Sequence, residues 1–229
     1  MPSILITGAN RGLGLEFARQ YAAEGWRVYA SCRDPGAADA LNGLAGEHDG
    51  LTAHRLDVTD DGQIAALAGA LGDEPIDVLL NNAGISGGAR GGFGEIDYAR
   101  WSETLRVNTL GPARMAEAFV APLARGGRKL MVCISSRMGS IAQNSGGYYA
   151  YRSSKAALNA VVASLAVDLA PRGITVVAFH PGWVATDMGG TGAPLGPAES
   201  VRGMRAVIER LAPADTGRFL NYDGAEIPW

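Results

Sequence analysis

The sequence predicts a doubly wound α/β fold in a single domain spanning residues 1–229. Three observations carry this. Short apolar or β-branched runs alternate along the whole chain with segments of helical periodicity. The short runs show little polar alternation, as strands do when helices cover both faces of a parallel sheet. The first run ends in a glycine-rich turn, TGANRGLG (7–14), that opens the first helical segment, and such turns at a strand's C-terminal end are where open α/β sheets receive phosphates.

In chain order, SILIT (3–7) is the first strand and a helix follows near 12–24. RVYAS (27–31) is the second, and Asp34-Pro35-Gly36 reads as a turn before a helix near 37–45. LTAHRL (51–56) is the third, with Asp57 placed to cap a helix that starts near Thr59 and runs through 60–71. DVLLN (77–81) leads through GISGGARGGFG (84–94) to a long helix near 98–124. KLMVCIS (129–135) precedes a helix near 150–170, and TVVAFH (175–180) precedes the Gly/Pro-rich GGTGAPLGP (189–197) and a helix near 198–211. GRFLN (217–221) is the last strand. Both glycine-rich segments come after strands, so they should overhang the C-terminal sheet edge where ligands bind.

Composition narrows the function. With 47% hydrophobic residues, 19% charged and 32 glycines, the chain can form a sizeable core with many tight turns. The net charge of −3 and the lack of a basic run argue against nucleic acid as a partner. Cys32 and Cys133 lack metal-ligand spacing and are too few for a disulfide framework, so no metal site is expected and a reducing cytoplasm fits. No basic leader precedes the first strand, so export by the usual signal is not expected. AALNAVVASLAVDLA (156–170) is interrupted by Asn159, Ser164 and Asp168 and is too short for a membrane span. It is nonetheless apolar nearly all round, whereas a helix buried on one side should show a polar stripe. A homodimer built on the helices near 98–124 and 150–170 would cover the other side.

GGYYAYRSSK (146–155) sets three tyrosines beside two cations. Tyr148 with Arg152 and Tyr151 with Lys155 share the i,i+4 spacing that stacks side chains on one helix face. A free phenol, with a pKa near ~10, is a weak general acid at neutral pH, and an adjacent cation lowers it. Gly146-Gly147 places Tyr148 ahead of the helix start, where the spacing loses its meaning, and this favours Tyr151 with Lys155. Tyr148 and Tyr149 then read as pocket walls or packing aromatics.

Thr7 to Gly14, Asn81-Asn82-Ala83-Gly84, Asn108, the Tyr151 and Lys155 pair and Pro181-Gly182 resemble, in order, the motifs of the short-chain dehydrogenase/reductases. More narrowly, SSRMGSIAQN, YAYRSSKAALN, HPGWVATDMGG and NYDGAEIPW are similar to the sniffer-type carbonyl reductases and the C-factor proteins. The resemblance implies a Rossmann-like fold of seven parallel strands and hydride transfer between a nicotinamide cofactor and a small carbonyl compound, a ketone, aldehyde or quinone. It implies Tyr151 as proton donor, Lys155 beside it, Ser136 on the substrate oxygen and Asn108 as a helix-bending residue that holds a water against the lysine. Ser135 reads as a strand-end hydroxyl satisfied by backbone. The cofactor residues it implies are Gly8, Asn10, Arg11, Gly12, Leu13 and Gly14 in the turn, Asp57 and Val58 at the adenine, Asn82, Ala83 and Gly84 after the fourth strand, Tyr151 and Lys155, and Pro181, Gly182 and Thr186 at the nicotinamide. Asp187 to Pro197 looks like the family's mobile substrate loop.

The end of the second strand bears on the cofactor. Cys32 stands where the family's acidic residue would be, Arg33 follows it, and Arg11 lies in the glycine turn. Two arginines at one ribose favour NADP(H), whereas Asp34 as a ribose ligand would mean NAD(H). Met138, Trp183 and Met188 suggest an apolar pocket, or are plain core residues. Arg137 reads as a surface cation, with an anionic substrate as the alternative, and the three histidines are assigned no chemistry. The second functional reading is cell–cell signalling of the C-factor kind on the same fold.

Overall fold

The computed structural model of the chain describes residues 1–88 and 93–229, so residues 89–92 of the loop expected at 84–94 lie outside the described residues. The elements are β1 (Ser3–Thr7), α1 (Gly12–Ala23), β2 (Arg27–Cys32), α2 (Asp39–Glu47), β3 (Leu51–Arg55), α3 (Asp61–Leu71) and β4 (Val78–Asn81). They continue as α4 (Tyr98–Leu105), α5 (Gly111–Arg125), β5 (Leu130–Ile134), α6 (Tyr149–Leu169), β6 (Thr175–His180), α7 (Pro197–Arg210) and β7 (Phe219–Asn221). The seven strands form one parallel sheet in the order β3-β2-β1-β4-β5-β6-β7.

Alternate strand residues feed two cores. Ile4, Ile6, Val177 and Phe179 pack with Phe17 of α1, Leu41 of α2 and Met204 of α7 on one face. Leu5, Leu79, Val176 and Ala178 pack with Ile64 of α3, Phe119 of α5 and Val162 of α6 on the other. Both faces being dry over β1, β2 and β4 to β7, those strands need no polar alternation, whereas the edge strand β3 is partly exposed. In the middle of the sheet Leu5 pairs with Tyr29 of β2 and with Leu79 of β4. Strand order reverses there, so a crevice opens beyond the C-terminal ends of β1 and β4.

The expected helix at 98–124 is divided. α4 runs into a π-helical turn, Arg106–Leu110, and α5 starts at Gly111. A 3-10 turn, Pro35–Ala37, comes before α2, and Asp34 is extended ahead of it. The cap of α3 is Asp60, whose carboxylate accepts from the amide of Gln63 at 3.0 Å, rather than Asp57. α6 begins at Tyr149 and buries Leu158, Val162 and Ala166, while its far side is open, with Val167 73% exposed. No helix among the described residues is long and apolar enough to cross a membrane.

The crevice is held by one clasp. Thr7 is 1% exposed, and its hydroxyl accepts from the amides of Asn82 and Ala83, both at 3.0 Å. The Asn82 side-chain amide donates back to the carbonyls of Thr7 at 2.9 Å and Gly8 at 3.0 Å. Thr7→Val keeps the shape but leaves the Ala83 amide without its acceptor, while the Asn82 amide keeps the Leu80 carbonyl at 3.1 Å, so urea unfolding should show a loss of about 1–3 kcal/mol, whereas Thr7→Ser should lose much less. Equal stability of the valine variant and the parent would show that the clasp is not needed.

Candidate active site

The glycine turn is shaped by contact. A Cβ on Gly14 would lie 2.2 Å from the Gly8 carbonyl oxygen and 2.5 Å from the Asn82 amide nitrogen, and one on Gly8 would lie 2.9 Å from the Ala83 Cα. No side chain caps α1 and no acid lies in its first turn, so its N-terminal N–H groups and positive dipole end face the crevice without an internal anion. Gly12 has a φ of 57°, and a Cβ there would touch the Thr186 methyl at 3.6 Å, so the segment after β6 lies over the turn. These features fit a bound pyrophosphate. Asn10 and Arg11 are exposed and Leu13 lines the cleft.

Residues expected at the adenosine end are placed separately. Arg33 and Asp34 are exposed, while Cys32 is buried and its thiol is pushed up by burial. The Arg11 guanidinium is ion-paired with Asp187 at 2.6 Å, both side chains being exposed. Asp57 accepts from the amide and hydroxyl of Thr59 at 2.8 and 2.7 Å in a local turn. Val58 is buried, and a Cβ on Gly111 would meet it at 2.8 Å.

At the reacting end, β5 and α6 bring Ser136 and Tyr151 to one wall. The Tyr151 phenol is pushed up from its ordinary value by burial, and the Ser136 hydroxyl opposes the rise. The Lys155 ammonium donates to the Ile134 carbonyl at 2.8 Å and stands 5.8 Å from the centre of the Tyr151 ring. Burial lowers it to about 8. The expected lowering of the phenol by Lys155 is therefore not what the structure shows: the cation meets the ring and a strand carbonyl, and desolvation of the phenolate dominates.

Asn108 sits in the π-helical turn with no exposure. Its amide donates to the Ile85 carbonyl at 2.9 Å and to the Ser154 hydroxyl at 3.0 Å, and its oxygen accepts from the Ile85 amide at 2.8 Å. It fastens the segment after β4 to α6. A Cβ on Gly84 would lie 3.2 Å from the Asn108 oxygen and 3.6 Å from the Lys155 nitrogen. Ser135 donates to the Asn159 side chain at 2.6 Å, correcting the expectation of a backbone partner: β5 ends against α6, where Asn159 is buried.

The rival pair does not form. Tyr148 precedes α6 in the left-handed region, with a φ of 50°. The Arg152 guanidinium donates to the carbonyls of Gly146 at 3.1 Å and Met138 at 3.4 Å and to the Ser145 hydroxyl at 2.7 Å. Tyr149 packs on Trp101, ring centres 6.4 Å apart. Tyr148 and Tyr151 line a cleft of about 700 Å³ with Leu13, Ser136, Met138, Pro181, Gly182, Trp183, Thr186 and Met188. Met138, Trp183 and Met188 are thus pocket walls rather than core. The loop after β6 is tied down by the Trp183 indole, which donates to the Gly189 carbonyl at 2.9 Å.

Three contributors were not read from the sequence as site residues. Gly139 packs the turn after Ser136 directly on α6, where a Cβ would lie 2.8 Å from the Lys155 carbonyl carbon. Ser154 receives Asn108, and His180 lines the cleft with a buried Nδ1 that has no partner among the described residues. The run of small and polar residues around Gly139 and Ser154 was visible, but its long-range contacts were not. Among the described residues no group of three or more His, Cys, Asp or Glu side chains is placed to hold a metal ion.

A family model described as short chain dehydrogenase matches residues 2–193. The C-signal protein of Myxococcus xanthus is 50% identical over 156 residues, 68% of this chain and 93% of that protein. The carbonyl reductase Sniffer of D. melanogaster superposes with a TM-score of 0.94 at 37% identity, covering 100% of both chains. The NADPH-bound carbonyl reductase from chicken fatty liver superposes with a TM-score of 0.94 at 36% identity, covering 100% of this chain and 99% of that one.

Proposed function

This chain belongs to the short-chain dehydrogenase family, and from that premise we propose that it is an NADP(H)-dependent reductase of small ketones, aldehydes or quinones. The observation that carries the reading is Ser136 and Tyr151 on one wall of the cleft, with Lys155 behind the phenol and the uncapped glycine turn reaching the same space. A nicotinamide cofactor, when bound, supplies the hydride. Gly8 to Gly14 and the α1 N-terminus would hold its pyrophosphate, Asp57 and Val58 its adenine, and Asn82, Ala83, Gly84, Lys155, Pro181, Gly182 and Thr186 the remainder.

The protein's own part is the proton. Ser136 donates a hydrogen bond to the substrate oxygen and orients it against Tyr151. Because burial keeps the phenol protonated at neutral pH, the acid is loaded when the substrate arrives. The alkoxide that develops on the substrate is a far stronger base than a phenolate, so proton transfer from Tyr151 runs downhill. The Lys155 ammonium beside the ring then offsets the new negative charge. Asn108 is a positioning residue that keeps α6 and the Gly84 segment in register.

NADP(H) is preferred because Arg33 follows a cysteine where NAD sites carry an acid. The Arg11 pair with Asp187 is exposed and worth no more than about 1 kcal/mol, so a 2′-phosphate competes well for that guanidinium. The NADPH of the chicken reductase supports this choice. The open side of α6 supports a homodimer, and two buried cysteines outside any disulfide support a reducing cytoplasm. A signalling role on the same fold is the second reading, favoured by the likeness to C-signal. Retention of signalling by a Lys155→Ala protein with no reductase activity would favour it.

Steady-state kinetics over a carbonyl panel tests the main reading. Tyr151→Phe should lower kcat by roughly 10²–10⁴ with NADPH binding retained, while Tyr148→Phe should alter chiefly KM. If Tyr148→Phe alone abolishes turnover, the assignment is wrong.

The rate should fall as pH rises through about 8, because burial lowers Lys155 to about that value and its charge is progressively lost above it. Lys155→Arg should move this limb upward. A profile that stays flat to pH 10 would show that the charge is not required.

Titration should show NADPH binding more tightly than NADH. Arg33→Ala should weaken NADPH binding by about 1.5–3 kcal/mol and leave NADH nearly unaffected. Tighter NADH binding would make Asp34 the ribose ligand. Sedimentation should show a dimer at micromolar concentration, and Val167→Asp should shift it toward monomer; a monomeric parent would overturn the assembly.

A further inference from the structure

The cleft beside Tyr151 carries positive charge without a matching carboxylate. Arg137 and Arg152 are among the residues that line it, and none of those residues is acidic. Arg152 is engaged with Gly146, Met138 and Ser145. Arg137 is not. It directly follows Ser136, opens the turn Arg137–Gly139 and is exposed, and its guanidinium makes no hydrogen bond or ion pair among the described residues. Asp223 in the C-terminal turn feels its field but lies beyond ion-pair distance and accepts from the Ala225 amide at 3.0 Å.

His180 lies on the same wall. Its Nδ1 is buried and unpartnered among the described residues, and burial together with the Arg137 charge holds the ring neutral, lowered to about 4. A buried polar nitrogen without a partner is an unmet demand for a hydrogen bond, and the ring that carries it lines the cavity. The remaining wall, with Met138, Trp183 and Met188, is apolar. A guanidinium at the rim of such a wall is only partly screened, so an anion placed on it is held more firmly than on open surface.

We propose that Arg137, with His180 beside it, forms a carboxylate-binding subsite, so that the preferred substrates are oxoacids whose carboxylate lies on Arg137 while the carbonyl oxygen meets Ser136 and Tyr151. This rests on the carbonyl-reductase reading of the cleft and specifies its substrate class. The guanidinium fork matches a carboxylate in two parallel hydrogen bonds. The neutral His180 ring adds one hydrogen bond without adding charge.

The test compares phenylglyoxylate with its methyl ester, which share the ketone and the ring and differ in the charge. With NADPH-saturated protein, the acid-to-ester ratio of kcat/KM is measured for the parent, Arg137→Gln and Arg137→Lys. Calorimetry measures phenylglyoxylate binding to NADP⁺-saturated Tyr151→Phe protein with and without Arg137→Gln. The parent should prefer the acid, and Arg137→Gln should lower the ratio and the acid's affinity by roughly 10- to 100-fold, as losing a hydrogen bond to a charged group does. Arg137→Lys should restore part of both. Binding that depends on Arg137 without reduction of either compound would sink the reductase reading and leave the subsite standing. Reduction of both with a ratio that ignores Arg137 would do the reverse. A matching loss of NADPH affinity in Arg137→Gln would assign the guanidinium to the cofactor's phosphates, and failure of phenylglyoxylate to bind would also overturn the proposal.

Discussion

The apposition of Thr7 and Asn82 at the reversal of strand order is the constraint from which the site follows. Two parallel strands that leave the sheet in opposite directions have nothing in the ladder to fix their last residues against each other. Here a hydroxyl accepts two backbone amides and a side-chain amide returns two bonds. That closes β1 on β4 so tightly that Gly8 and Gly14 tolerate no side chain. The opposite sheet edge uses the same device for a different end: the Asp77 carboxylate accepts from the amides of Ser3 at 2.8 Å and Gly127 at 2.7 Å, tying β1 to the start of β5. One edge is closed by a carboxylate. The other is closed by neutral groups and adds no negative charge beside the uncapped α1 N-terminus, which suits an anion.

A second layer of polar burial sets α6. Asn108, Ser135, Ser154, Lys155 and Asn159 are all buried, and each has a partner. A satisfied network of this kind tolerates little displacement, because stranding any member costs its desolvation. The π-helical turn belongs to it: the turn lets Asn108 reach both the segment after β4 and Ser154, which a regular helix through 98–124 has no reason to supply. The rigidity of Lys155 follows, and with it the placement of Tyr151 on the preceding turn.

The sheet was legible because dry strands leave a plain signal: unbroken apolar runs at regular intervals. The break between α4 and α5 was not, since Val107 and Leu110 continue the apolar pattern across it and a π turn changes the backbone without changing composition. Asp57 and Asp60 were interchangeable as caps in sequence, and only backbone geometry chose Asp60. The start of α6 after Tyr148 was legible through Gly146-Gly147, whose φ values of 75° and 66° mark a chain not yet helical. The need for glycine at 139 was not, because it arises from contact with α6 sixteen positions on, at Lys155. The direction of the phenol's shift was misjudged for the same reason: spacing identifies neighbours along a helix, while desolvation depends on everything else packed around them.

Identical spacing therefore produced two different fates. Tyr151 and Lys155 lie within one regular helix, so the ammonium is carried under the phenol ring and anchored on Ile134. Tyr148 enters from three successive left-handed residues, an arrangement that costs a non-glycine side chain about 1–2 kcal/mol. Its partner at the same offset turns instead to the carbonyls and hydroxyl of the loop at 138–146. A guanidinium has five donors and the loop offers several acceptors, so Arg152 is worth more as a brace than as a neighbour for one phenol. The strain at Tyr148 is thereby held by the cation four positions on, which braces the loop instead of its phenol, and the ring is left to form the cleft wall beside Tyr151. Bracing by Arg152 also removes one of the cleft's two arginines from ligand binding. The charge of Arg137 is what remains to select among the molecules that enter.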